Sequence, residues 1–282
     1  MVKYSVIFPR EIIKMRLVKV FVLSLFLLAG CSQLEPLLDR VDFPFPTDEM
    51  DDVSGDPGQE TNTPDDEISA EQELIQALPK DANIDDWNLI LVNPWKALPE
   101  DYELQLVAVD NEQQMDARIV DILNQWKQDA SDAGHQLFLA SGYRTVDRQR
   151  TNFNRRVDEY LAEGYSEEEA IAKTKEYLTE PGHSEHHTGL ALDIVDEPWI
   201  NAGRRLEPEY DTQASQQWLV ETMDDYGFIL RYAKGKEEIT GIQYEPWHFR
   251  YVGVENARFM KEHELVLEEF IELLEKRDSL SR

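Results

Sequence analysis

The six histidines of this 282-residue chain are unevenly placed: three stand between residues 183 and 187, and Asp193 follows His186 by seven. Between them and just beyond, Leu190, Leu192 and Ile194 alternate with Ala191, Asp193 and Val195. Successive side chains of a strand point to opposite faces. The alternation therefore predicts a strand whose leucines enter a core. Its other face carries a carboxylate between a small and a modest neighbour, with space above it. This segment constrains the fold more than any other, because it requires a sheet covered on one face and open on the other. Seven is an odd separation, so one straight strand would point His186 and Asp193 apart; Gly189 permits the turn that brings them together.

The flanking sequence supplies the other elements. Residues 88–93 read as a buried strand. Over residues 112–133, Met115, Ile119, Ile122, Leu123, Trp126 and Ala130 recur at helical spacing, and Gly134 is placed to end that helix. Residues 136–140 read as a strand running into Ser141-Gly142-Tyr143-Arg144. Helices are expected over 146–161 and 166–178, the second opening with Ser166 and Glu169 in capping-box positions. A further helix over 214–226 closes at Gly227, strands follow at 228–232 and 244–252, and a terminal helix spans 255–276. Strands and helices do not alternate regularly. The expectation is an α+β fold: a single domain with a mainly antiparallel central sheet flanked by helices.

The N-terminal quarter is different in kind. Residues 20–29, VFVLSLFLLA, are a short apolar run preceded by Lys14, Arg16 and Lys19. That is the layout of a secretory signal, and it is too short to span a bilayer. It ends in Leu28-Ala29-Gly30-Cys31, which looks like the lipobox of bacterial lipoproteins. Cys31 is the only cysteine, which excludes an intramolecular disulfide and is explained by lipidation. Met15 makes a natural alternative start. Residues 32–75 hold fourteen Asp/Glu, one Arg and five of the thirteen prolines, a composition that reads as an extended tether. The expected layout is a signal over 1–31, a tether over 32–75 and one globular domain over 76–282. A net charge of −29 excludes nucleic-acid binding through phosphates. It also leaves the lipid as the means of holding an anionic membrane.

Three segments carry candidate chemistry: Ser141–Arg144, Ser184–Asp193, and Glu245-Pro246-Trp247-His248. Two histidines and a carboxylate form a known catalytic zinc shell with a position left for water. His186, Asp193 and His248 can fill it, Glu245 can act as a general base, and Arg144 can stabilise an oxyanion. Spacing alone leaves other readings open: Asp193 as a turn cap, His248 as a core histidine, Arg144 as a surface ion-pair member.

Taken together and in this order, SGYR, SEHHTGLALD and EPWH resemble the D-alanyl-D-alanine carboxypeptidases of the VanY type, zinc peptidases that share a fold with D-Ala-D-Ala dipeptidases and the Hedgehog domain. The resemblance spans roughly residues 85–255, and S-x-H-x-x-G-x-A-x-D matches at every fixed position. It implies zinc on His186, Asp193 and His248, Glu245 as general base, and Arg144 at the oxyanion. It further implies substrate contacts from Ser184 and Gln149, with Tyr143 and Trp247 lining the cleft. His187 is expected beside the site or exposed, and His183, His135 and His263 outside it. The implied reaction is removal of the C-terminal D-Ala from peptidoglycan stem peptides or precursors. The protein is expected to be a monomer, lipid-anchored outside the bacterial cell membrane. L,D-carboxypeptidase or endopeptidase action, a non-catalytic wall-binding module and an adhesion domain are the alternatives. Manganese or cobalt also suits the ligand set.

Overall fold

A computed structural model describes residues 69–280. The signal-like run, Cys31 and the segment up to residue 68 lie outside the described residues. The elements are α1 (Ala70–Ala77), β1 (Leu106–Ala108), β2 (Gln114–Asp116), α2 (Val120–Asp132), β3 (Leu137–Ser141), α3 (Val146–Ala162), α4 (Glu167–Lys175), β4 (Ala191–Asp196), α5 (Glu197–Asn201), α6 (Ala214–Thr222), β5 (Phe228–Leu230), α7 (Glu237–Thr240), β6 (His248–Tyr251), α8 (Val254–Glu262) and α9 (Leu267–Leu280). No helix among the described residues is long and apolar enough to cross a membrane.

Strands β3, β4, β6 and β5 form a four-stranded sheet in that order, with every neighbouring pair antiparallel. The main apolar layer of the sheet lies on one face, and a smaller cluster around Val195, Trp199 and Trp247 covers part of the other. In the main layer Leu192 and Ile194 of β4, Leu139 of β3, Phe228 of β5 and Phe249 of β6 pack with Leu123 and Trp126 of α2 and Leu219 of α6. Trp126 is fully buried, stacks on Phe228 at 4.9 Å and donates its indole N–H to Thr222 Oγ1 at 3.0 Å. The opposite face carries Ala191, Asp193, Val195, His248 and Arg250, as the alternation in 190–195 requires. A separate core joins α1, α8 and α9 around Phe259, Leu267 and Phe270.

Several sequence expectations change. Residues 88–93 form no strand: Leu89 and Val92 are buried, but the carbonyls of Asn88 and Ile90 accept from the guanidinium of Arg250 rather than from a neighbouring strand. The helix expected over 112–133 begins only at Val120, because residues 114–116 pair with β1 in an antiparallel ribbon. The terminal helix is two helices; Glu264 takes a positive φ of 53° between them. The segment 69–75, expected to belong to the tether, is ordered into α1. Ser69 and Gln72 form a capping box, and Leu74 and Ile75 pack on the C-terminal core. The fold thus begins ahead of residue 76.

Two glycines let the chain approach the sheet closely. Gly189 has φ +70° and gives its carbonyl to the Asp116 amide at 3.0 Å; a Cβ there would come within 3.0 Å of that amide nitrogen. A Cβ on Gly142 would meet the Gln114 carbonyl at 2.5 Å. Gly189→Ala should therefore cost about 1–3 kcal/mol. A urea unfolding curve with an unshifted midpoint would refute that.

Candidate metal centre

The strand register assembles the site. Asp193 lies opposite His248 across β4 and β6, and opposite Ser141 across β3 and β4. His186 comes from a single 3-10 turn, Glu185–Thr188, which Gly189 closes in the left-handed conformation. Glu245 arrives through a turn in which the His248 amide donates to the Glu245 carbonyl at 3.2 Å, with Pro246 in the position such turns favour. His186, Asp193 and His248 each offer a ligand atom, and these atoms lie within 4.8 Å of one another, all buried.

The hydrogen bonds decide which atoms are available. His186 Nδ1 sits 2.7 Å from the Gly142 carbonyl, which only accepts, so Nδ1 carries the proton and Nε2 presents a lone pair. That Nε2 is 3.3 Å from Asp193 Oδ2. His248 Nδ1 is 3.1 Å from Asp193 Oδ1, yet Oδ1 makes no hydrogen bond. Close atoms without hydrogen-bond alignment are what donors aimed at a common central point produce. An orphaned buried carboxylate oxygen and two imidazole nitrogens at this spacing suit a divalent cation of zinc type.

The two imidazoles respond oppositely to their surroundings. Burial, then the Arg144 charge, push His186 down to about 4. Burial acts in the same direction on His248, but the adjoining carboxylates of Asp193 and Glu185, with Glu245 beyond, outweigh it and raise it to about 9. Burial alone would raise Asp193; the two histidines hold it well below the usual carboxylate range. Glu245, its Oε2 3.5 Å from His248 Nδ1, is pushed up to about 8 by burial and by the charge of Asp193.

Arg144 reaches the site from the loop after β3, with Nη2 3.5 Å from Asp193 Oδ2. It donates to Gln149 Oε1 at 2.8 Å and to Ser141 Oγ at 3.1 Å. The Gln149 amide in turn donates to the Thr179 carbonyl at 2.6 Å. Gln149, expected to touch substrate, stands in the wall of the cleft with both ends of its amide engaged, and it orients Arg144 from there. Trp247 lines the cleft as expected and Ser184 stands in its wall, a cavity of about 630 Å³ whose walls also include Tyr232, Ile242 and Leu206. Tyr143 does not line it: in the extended segment its amide turns to the Gln114 carbonyl while that of Arg144 turns to the His186 carbonyl, and Arg144 takes the site side. His187 is buried. It donates from Nδ1 to the Arg144 carbonyl at 2.6 Å and accepts the Gly182 amide at Nε2, so it braces the arginine loop.

Sequence reasoning passed over Glu185, Arg231, Tyr232 and Arg250. Glu185 Oε1 accepts from Arg231 Nε at 2.7 Å and Arg250 Nη1 at 2.8 Å, with all three side chains wholly buried. One signal was present: Arg250 follows His248 by two on a strand, which puts both on one face.

Comparison with known proteins places these residues in a family. The family model described as VanY, D-alanyl-D-alanine carboxypeptidase, matches residues 112–254. A D-alanyl-D-alanine carboxypeptidase of Enterococcus faecalis is 35% identical over 201 residues, 71% of this chain and 72% of the relative. Among solved structures, a mutant of the vancomycin-resistance D,D-pentapeptidase VanY in complex with Zn(II) superposes with a TM-score of 0.59 at 37% identity, covering 66% of this chain and 99% of that one. The LD-carboxypeptidase LdcB gives 0.57 at 36% identity, covering 67% and 87%.

With His248 raised to about 9, the metal-free site holds a proton on that ring at neutral pH, and a bound ion must displace it. Zinc affinity should climb about tenfold per pH unit between roughly pH 8 and 9, more steeply just below 8, where the ion also displaces the Glu245 proton, and level off above 9. Competition titrations against a chromophoric chelator would show this, and a flat profile would disprove it.

Proposed function

The chain belongs to the VanY family of D-alanyl-D-alanine carboxypeptidases, and from that membership we propose that it is a zinc D,D-carboxypeptidase that removes the C-terminal D-Ala of peptidoglycan stem peptides. The observation that carries this reading is the convergence of His186, Asp193 and His248 within 4.8 Å, beside the buried, unligated carboxylate of Glu245. A binding module needs no such base.

His186 Nε2, the Asp193 carboxylate and His248 Nδ1 would hold the ion. Bound there, zinc supplies a Lewis acid for the scissile carbonyl, lowers the pKa of the attacking water and draws the Glu245 pKa down from its raised value. Glu245 takes the proton of that water and delivers it to the departing amine of D-Ala. Burial places its pKa near the working range, where a carboxylate both accepts and returns a proton. Arg144, its fork set by Gln149 and Ser141, stabilises the oxyanion that develops at the carbonyl. Trp247 and Tyr232 wall the cleft beside the reacting bond. Arg155 and Arg205 line the cleft together with Glu159, Glu207 and Glu209, so its walls offer both signs of charge to an entering peptide.

The similarity to LdcB, almost level with that to VanY, makes cleavage of the L-Lys–D-Ala bond the second reading. Both share the site and differ in how the cleft receives the residue before the scissile bond. The lipobox-like Leu28–Cys31 and the acidic segment after it support a lipid anchor and a spacer outside the cytoplasmic membrane. In cells fed labelled palmitate, the protein should carry label that Cys31→Ser abolishes; equal labelling of both would remove the anchor.

Incubation with synthetic stem pentapeptide and tetrapeptide, followed by mass spectrometry, tests the reaction. The expected result is loss of one D-Ala from the pentapeptide, blocked by chelator. Glu245→Ala should keep fold and zinc while turnover falls by about 10²–10⁴. Cleavage of the tetrapeptide alone would make the enzyme L,D-specific, and retained turnover in Glu245→Ala would take the base role from that residue.

A further inference from the structure

Beneath the metal centre lies a chain of charges that the hydrolytic chemistry does not use. His248 turns Nδ1 to the ligand cluster and Nε2 the other way, where Glu185 Oε2 lies 3.5 Å off. Neither of these atoms forms a hydrogen bond among the described residues, and both are buried, so the two face each other with their polar capacity unused. The second oxygen of Glu185 is pinned by Arg231 and Arg250. Arg231 continues as a two-pronged pair to Glu268 on α9, at 2.8 and 2.6 Å, and Glu268 also accepts from Asn93 Nδ2 at 3.1 Å. Arg250 continues to the carbonyls of Asn88 and Ile90 at 3.1 and 2.8 Å. The outer ends of this network, residues 88–93 and Glu268, fall outside the stretch 112–254 that the family model matches.

We infer that Glu185 is a positioning residue for the metal: its Oε2 is the acceptor facing the Nε2–H of His248, which keeps the proton on that nitrogen and leaves the Nδ1 lone pair to the ion, and the Arg231–Glu268 and Arg250 contacts hold that carboxylate in place from both ends of the domain. The inference rests on His248 being a ligand. Two features distinguish this from an ion pair that merely stabilises the fold. An imidazole binds metal through one nitrogen only when the other carries the proton, and an acceptor at that second nitrogen settles the tautomer. Both arginines converge on Oε1 and leave Oε2 to the imidazole. In Glu185→Gln the two guanidiniums retain the amide oxygen, so the amide NH₂ faces His248. It then donates to Nε2, drives the proton to Nδ1 and opposes the metal.

The full chain, Glu185→Gln and Glu268→Gln would be compared by thermal melting, zinc affinity in chelator competition, and the visible spectrum after cobalt substitution. Glu185→Gln should bind zinc roughly 10–100-fold more weakly with an altered cobalt spectrum, in a protein that melts cooperatively. Glu268→Gln, at the partly exposed end of the network, should show a smaller loss of a few-fold, and decides the matter should Glu185→Gln not fold. Wild-type zinc affinity and cobalt spectrum in the folded variant would overturn the inference. Because the readout is metal binding, zinc-loaded wild type that cleaves no peptide would sink the proposed reaction alone. Wild type that takes up no zinc would sink the ligand assignment beneath both.

Discussion

The pairing of Asp193 with His248 across two central strands is the constraint on which the rest depends. Register is set by what lies on the other face. Leu192 pairs with Phe249, and both enter the dry layer against α2 and α6. A slip of one residue would expose that layer and carry Asp193 into it. The apolar packing of one face thus fixes the position of two candidate ligands on the other. The third needs only a short tight turn, because Gly189 takes the left-handed conformation where β4 begins and returns His186 over the same face.

Placing so many ionisable groups together is costly, and the site meets that cost by pairing. Carboxylates and cations alternate inward from the cleft: Glu245, Asp193 with Arg144, then Glu185 with Arg231 and Arg250, then Glu268. Buried pairs of this sort contribute little net stability, yet removing one member leaves an uncompensated charge. Their value here is geometric. The contrast between His186, held neutral beside Arg144, and His248, drawn toward its charged form among carboxylates, follows from the same arrangement. Two chemically identical imidazoles come to have different proton affinities through their neighbours alone.

The site sits on rigid strands below and on loops above, a division that holds reacting groups while leaving the cleft open to a peptide. Arg144 shows how the loops are disciplined. Its side chain is oriented by Gln149 from α3, and its carbonyl is tied to His187. The N-terminal segment around residues 88–93 and helix α9 contribute no group to the cleft, yet their polar atoms terminate the charge network beneath it.

The sequence by itself determined the candidate ligands, the candidate base and the class of fold. Those rest on local rules: alternation in 190–195, a glycine where the chain must turn, and a rare residue combination in the order SGYR, SEHHTGLALD, EPWH. Helices α3, α4 and α6 were legible for the same reason, since caps and apolar spacing act within a few residues. Tertiary structure decided what depends on partners far away in the chain. Residues 88–93 have the composition of a strand but give their carbonyls to Arg250, some 160 residues later. Met115 fits a helix pattern but pairs with β1, and residues 69–75 look like tether until α9 covers Leu74 and Ile75. Tyr143 stands beside Arg144 in the chain yet takes no part in the cleft wall, and Gln149 in that wall locks the arginine. Glu185 is invisible as a site residue in a chain rich in acids, because its meaning comes only from the two arginines and the histidine that folding brings to it. A local pattern can specify which face a side chain takes; which distant group meets it there is a property of the packed chain.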